Sequence, residues 1–197
     1  MRPERITVIA MLSVFFLALA GLAIVQLVSP QEVAQAVAIG GPFHLVDDRG
    51  NPVSDADLRG KPSVIYFGYT FCPEICPTTL SDMAGWIKDL GRDADKFNFV
   101  FITVDPQRDT AKVMHSYVAS FDPHIRGFTG SPDETTAAAH AYKVYFQRVP
   151  LQGAGYAMDH STSVYLMDGK GAYVDRIAYQ EDEKSALKKL RALLDAD

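Results

Sequence analysis

The sequence predicts an α/β domain: a mixed central sheet with helices on both faces. Two runs carry most of that reading. Residues 64–69 (VIYFGY) and 97–104 (FNFVFITV) are nearly continuous apolar stretches rich in β-formers, as expected of strands buried on both faces. Each is followed by a segment with helical spacing of its apolar residues. A tight turn at residues 168–171 then joins two last strands, adding a hairpin to the alternating β and α pattern.

Taken in order, residues 43–46 alternate toward the turn at 47–52, which reads as a hairpin, and 55–60 form a further turn. The strand at 64–69 runs directly into Phe71-Cys72-Pro73-Glu74-Ile75-Cys76-Pro77. Pro77-Thr78-Thr79 opens a helix with Leu80, Met83, Ala84, Ile87 and Leu90 inward, closed near Gly91. After the strand at 97–104, residues 105–109 make a turn, with Asp109 or Thr110 as N-cap of a helix lined by Val113, Tyr117, Val118 and Phe121. Ser131 caps another helix, with Pro132 in its first turn. Residues 143–149 read as extended and 150–159 as a loop with two glycines. Strands at 162–167 and 172–177 flank the 168–171 turn, and 181–194 form an amphipathic helix with Leu187, Leu190, Leu193 and Leu194 inward.

The N-terminus has a different character. Residues 6–28 are apolar apart from Thr7, Ser13 and Gln26, and a helix of that length, at about 1.5 Å per residue, reaches about 34 Å, enough to span a bilayer core. Arg2 and Arg5 precede the run and no Lys or Arg follows until Arg49, which places the N-terminus in the cytoplasm and the rest outside. A cleaved signal peptide is the rival, with Ala18-Leu19-Ala20 resembling a cleavage site, but the apolar run continues past it. The expected organisation is a cytoplasmic tail at 1–5, a transmembrane anchor at 6–28, a linker at 29–41 and one domain at 42–197. That makes a single-pass protein of the cytoplasmic membrane with its domain on the periplasmic, extracytoplasmic side. The chain has 197 residues and a net charge of −5; Arg2, Glu4 and Arg5 sum to +1, leaving −6 on residues 31–197. So acidic a domain argues against nucleic acid as a partner.

The chain has two cysteines, Cys72 and Cys76. If residues 72–77 are helical, a spacing of four sets both sulfurs on one face, where they chelate one metal ion or oxidise to a redox-active disulfide. A purely structural bridge is the plain alternative in an oxidising compartment, but one closing so short a loop removes little denatured-state entropy. A buried strand running into a cysteine pair that opens a helix is also how thioredoxin-like folds place their redox site, although there the spacing is C-x-x-C. His44, His115, His124 and His140 read as structural. His160 differs: it ends the glycine-bearing loop and opens a strand, a placement that lets a mobile imidazole swing over the sulfurs. Two thiolates and one imidazole suit Cu(I) and Cu(II), whereas a structural zinc site is usually closed by four protein ligands. Asp105, at the end of the second buried strand, should emerge at the same sheet edge, either as a polar support for the site or as a turn former.

Residues 68–77 (GYTFCPEICP), 104–110 (VDPQRDT) and Asp159-His160-Ser161 resemble, in order and spacing, the three signature blocks of the Sco/SenC family. Glu74 stands where many members have Asp, at a position that is not a ligand. The resemblance runs from about Phe43 to the C-terminus and implies a thioredoxin-like fold with copper ligands at Cys72, Cys76 and His160. It implies a membrane-tethered copper chaperone that helps assemble the binuclear copper centre of cytochrome c oxidase. Its partners would be the copper-bearing oxidase subunit, a thiol reductant and a copper donor. A thiol-disulfide oxidoreductase that reduces the cysteines of a copper-accepting partner is the alternative, since disulfide exchange does not need His160. A peroxiredoxin-like peroxidase is disfavoured, because it needs one low-pKa thiol with a separate resolving cysteine.

Overall fold

The computed structural model describes residues 38–153 and 155–195. The tail at 1–5, the anchor at 6–28 and the linker as far as residue 37 lie outside the described residues. Among the described residues no helix is long and apolar enough to cross a membrane. Residues 38–41, read from the sequence as the end of the linker, pack on the domain: Ile39 lies against the core and the Gly40 N–H donates to the Ala141 carbonyl at 3.0 Å.

A seven-stranded mixed sheet organises the domain. Its strands are β1 (His44–Asp47), β2 (Pro52–Ser54), β3 (Ser63–Gly68), β4 (Asn98–Thr103), β5 (Ile125–Thr129), β8 (Val164–Met167) and β9 (Tyr173–Ile177). They lie in the order β2-β1-β5-β4-β3-β8-β9. Strands β3, β4 and β5 are parallel; β8 and β9 add antiparallel on one side, β1 and β2 on the other. Among the described residues four α-helices accompany the sheet: α1 (Ile75–Leu90), α2 (Ala111–Val118), α3 (Pro132–Ala141) and α4 (Glu183–Asp195). All six residues of β3 and all four of β8 are buried, which requires cover on both faces of the sheet centre. Tyr66, Phe67, Phe99, Phe101 and Phe128 form the bulk of that core. Each such burial contributes on the order of 1.5–3 kcal/mol, which holds rigid the edge where β3 and β4 end.

Three elements differ from expectation, and all three bear on the site. First, α1 begins at Ile75 rather than Pro77, so Cys76 is in its first turn and Cys72 is in the loop before it. The two sulfurs therefore do not share a helix face. Pro77 is tolerated because the first N–H groups of a helix have no partner within it. Second, residues 156–160 are not loop. Strand β7 (Tyr156–His160) pairs antiparallel with β6 (Phe146–Pro150), making a two-stranded ribbon separate from the main sheet. His160 thus closes a strand, paired with Phe146, and does not hang from a mobile loop. Third, β5 had no signal in the sequence. It sits between β4 and β1, and Gly127 in its middle lets helix α2 approach: a Cβ there would stand 3.1 Å from the Met114 Cβ.

The N-cap of α2 is Thr110, whose Oγ1 accepts from the Val113 N–H at 3.4 Å. Asp109, the other sequence candidate, is fully buried and points elsewhere. Ser131 and Glu134 form a capping box at α3, as the Ser-Pro start predicts.

Candidate metal and thiol site

The site forms where β3 and β4 end, at the N-terminus of α1. Cys76 is completely buried. Its Sγ receives the Tyr66 hydroxyl at 3.6 Å and lies 3.4 Å from His160 Nε2. Space for that sulfur exists only because residue 68 is glycine: a Cβ there would stand 2.7 Å from Cys76 Sγ and 2.8 Å from the Phe101 ring. Cys72 is half-buried, and its Sγ accepts the Cys76 backbone N–H at 3.4 Å. Helix α1 has no side-chain cap of its own, so the Cys72 sulfur takes over that function.

This unequal setting splits the two thiols. Cys72 is held well below the ordinary thiol range, first by the hydrogen bond from the Cys76 thiol, then, against its partial desolvation, by His160 and by the backbone N–H groups of Cys76 and Glu74. The positive end of the helix acts in the same direction. Cys76 is pushed up, chiefly because it gives that hydrogen bond to Cys72 and because it is buried. The accessible sulfur is therefore the more acidic of the two and the buried one the less.

His160 is 8% exposed, and Tyr66 and Tyr69 flank it at ring distances of 6.2 and 5.8 Å. Its Nδ1 lies 2.8 Å from the Ser161 carbonyl. A carbonyl only accepts, so Nδ1 carries a proton there, and Nε2 is the ring nitrogen that faces the sulfurs. Cys72 Sγ, Cys76 Sγ and an imidazole nitrogen of His160 all lie within 4.8 Å of one another. Donors bonded at about 2.0–2.3 Å around one ion stand up to about 4 Å apart, so the set needs to tighten by no more than about 1 Å. A cavity of about 450 Å³ opens onto it, lined among others by Tyr69, Cys72, Met158 and His160.

Asp105 does emerge at this sheet edge, but its carboxylate is turned to two neighbours. It pairs with Arg108 Nε and accepts the Tyr156 hydroxyl at 2.8 Å. Arg108 donates Nη1–H to the Tyr156 carbonyl at 3.1 Å and stacks on the Tyr156 ring at 3.7 Å and on Phe71 at 4.7 Å. Asp105 and Arg108 together clamp the β6–β7 ribbon against the cysteine loop. The turn reading is also correct, since the Asp105 carbonyl accepts the N–H groups of Arg108 and Asp109.

Sequence reasoning missed two of these residues. Asp109 accepts the Thr70 N–H at 3.0 Å, the Thr70 hydroxyl at 2.6 Å and the Thr103 hydroxyl at 2.6 Å, which pins the start of the cysteine loop to the end of β4. Burial nevertheless pushes its carboxyl upward. Arg108 entered the sequence reading only as part of the 104–110 block, because an Arg in a turn reads as solvated until the ribbon is seen lying on it.

With this geometry described, the comparison with known proteins is direct. The SCO1/SenC family profile matches residues 31–195. The chain belongs to the SCO1/SenC family. It is 40% identical over 164 residues to yeast "Protein SCO2, mitochondrial", covering 82% of this chain and 54% of that one. Among solved structures, Bradyrhizobium japonicum ScoI with copper bound is 44% identical with a TM-score of 0.75, covering 79% of this chain and 99% of that one. Yeast Sco1 with copper bound is 39% identical with a TM-score of 0.75, covering 81% and 90%. The thioredoxin-like α/β fold expected from the sequence is the fold of this family. The chain spans 54% of the yeast SCO2 relative's length.

Two predictions follow from the site's electrostatics and packing. In the reduced protein, iodoacetamide should label Cys72 readily at pH 5–6, where an ordinary thiol of pKa about 8.5 is almost wholly protonated, and should label Cys76 far more slowly. Because the Cys72 pKa is lowered, its reactivity is lost only as pH falls through that lowered value. Peptide mapping that shows both cysteines labelled equally, at rates rising tenfold per pH unit between 6 and 8, would contradict the split. Asp105→Asn keeps the turn but removes the charge that holds Arg108. It should cost about 1–3 kcal/mol in denaturant unfolding and speed amide exchange in residues 156–160 while sparing β3 and β4. Unchanged exchange there would leave Asp105 as a turn residue alone.

Proposed function

We propose that this chain is a membrane-tethered copper carrier that holds one ion on Cys72, Cys76 and His160 and passes it to the binuclear copper centre of cytochrome c oxidase. The observation that carries the reading is the convergence of two sulfurs and an imidazole nitrogen within 4.8 Å. Two family members of 39% and 44% identity are described with copper bound, which supports the same cargo here. Two thiolates suit the soft cuprous ion, and the imidazole extends the set to Cu(II). Three protein donors and an open cavity favour a site that exchanges its metal, since closed structural sites usually use four.

The parts divide the work. Of these three ligands, Cys72, the accessible and more acidic sulfur, binds first. Cys76 follows as its proton leaves, and its burial between Tyr66 and His160 keeps water off the bound ion. His160 completes the set through Nε2. The apolar run at 6–28 supports a single-pass anchor in the cytoplasmic membrane with the domain on the extracytoplasmic side. Tethering would raise the carrier's effective concentration near a membrane-bound acceptor. The copper-bearing oxidase subunit is the proposed acceptor, with a thiol reductant and a copper donor upstream.

Thiol-disulfide exchange is the second reading, and one observation favours it: a half-buried sulfur of lowered pKa beside a fully buried one is the arrangement of an attacking and a resolving cysteine. His160 separates the two readings. The reduced chain should bind one copper per molecule, Cys72→Ser or Cys76→Ser should abolish tight binding, and oxidation to the disulfide should do the same, because thiolates are the ligands. In cells lacking the protein at limiting copper, His160→Ala should fail to restore oxidase assembly. Full restoration by His160→Ala, with none by Cys72→Ser, would replace the carrier by the oxidoreductase.

A further inference from the structure

We propose that Met158 is an additional soft ligand of this site, a thioether that receives Cu(I) in the cavity before the two cysteines close on it. The inference rests on the copper reading above and deepens it.

Strand geometry places the side chain. Tyr156, Met158 and His160 alternate along β7, so all three point from one face of the ribbon. Both neighbours show where that face looks. Tyr156 gives its hydroxyl to Asp105, and His160 brings Nε2 to 3.4 Å from Cys76 Sγ. Met158 lies between them on the same face, about 7 Å along the strand from each. Its backbone N–H points to the Tyr69 phenol oxygen, which helps hold it there. Its side chain is half-buried, rests on the core edge and lines the same cavity as Cys72 and His160. The register opposite it is Arg148, whose guanidinium is occupied by the Tyr156 ring at 3.6 Å.

Chemistry gives the position its use. Among side chains on this wall, only Met158 adds a third sulfur to the two thiols, and thioethers, like thiolates, select Cu(I) over harder cations. A thioether carries no proton, so it accepts the ion with no proton release. The step is an associative ligand exchange. The Met158 sulfur lone pair forms a new Cu–S bond while one bond from the donor's ligand to copper breaks. Copper stays Cu(I) throughout, and the displaced ligand leaves with its own electron pair. A flexible side chain with three rotatable bonds can follow the ion inward to the Cys72 sulfur.

The test offers Cu(I), as its bicinchoninate complex, to the reduced full chain. Met158→Leu conserves volume and apolarity, so the packing is kept. It should slow Cu(I) uptake about tenfold, the low end of the range for residues that support a metal site. In a His160→Ala background, Met158 becomes the third donor, and adding Met158→Leu should lower Cu(I) affinity by about another tenfold. Selenomethionyl His160→Ala protein should show a copper neighbour at the selenium X-ray absorption edge, absent from the double variant. Unchanged uptake and affinity in both backgrounds, with no copper neighbour of selenium, overturns this assignment alone. Failure of the wild-type chain to take up Cu(I) overturns the copper reading and this one with it.

Discussion

The position of one sulfur sets the rest of the site. Cys76 Sγ is sealed between the Tyr66 hydroxyl and the His160 imidazole, in space that Gly68 leaves at the end of β3. A methyl group at residue 68 would displace that sulfur or the Phe101 ring, and both belong to the most deeply buried part of the core. The constraint is structural, yet its effect is chemical. The hydrogen bond between the two thiols, with the burial of Cys76, pushes that thiol up, and the same hydrogen bond lowers Cys72. Negative charge is thus favoured on Cys72, at the helix N-terminus, where a backbone N–H and the helix dipole face it.

Holding the ribbon is the second requirement, because His160 belongs to it and not to the main sheet. Three contacts bind β7 to the domain along one face: Tyr156 to Asp105 and Arg108, the Met158 backbone N–H to the Tyr69 phenol oxygen, and His160 to Cys76. The residues that clamp it come from the turn after β4, and Asp109 in the same turn fixes Thr70 before the cysteine loop. One turn, residues 105–109, thus registers both halves of the site against each other. The turn anchors to the end of β4 through Thr103, whose Oγ1 accepts the Asp105 N–H and donates to Asp109.

Much of this was legible in the sequence, for identifiable reasons. Strands β3 and β4 showed as apolar runs because they are covered on both faces, and Ser131-Pro132 announced α3 because caps are local chemistry. Cys72, Cys76 and His160 stood out by residue type and order. Asp105 lies at the sheet edge the sequence pointed to, with its carboxylate on Arg108 and Tyr156. What the sequence hid were long-range facts. Strand β5 has Arg126 and Gly127 in its middle and owes its existence to its neighbours β4 and β1. The 156–160 segment read as loop because glycines precede it, yet those glycines serve the short turn between β6 and β7. The start of α1 was displaced by two residues because Pro77 signals the first turn of a helix without naming its place in that turn.

The claim at the centre of this account is that Cys72, Cys76 and His160 share one ion. Copper-edge X-ray absorption on the loaded full chain tests it most directly. The account predicts a first shell of two sulfurs and one imidazole nitrogen in the wild type, with the imidazole contribution lost in His160→Ala and the sulfurs retained. A shell without sulfur, or an imidazole signal unchanged by His160→Ala, would contradict it.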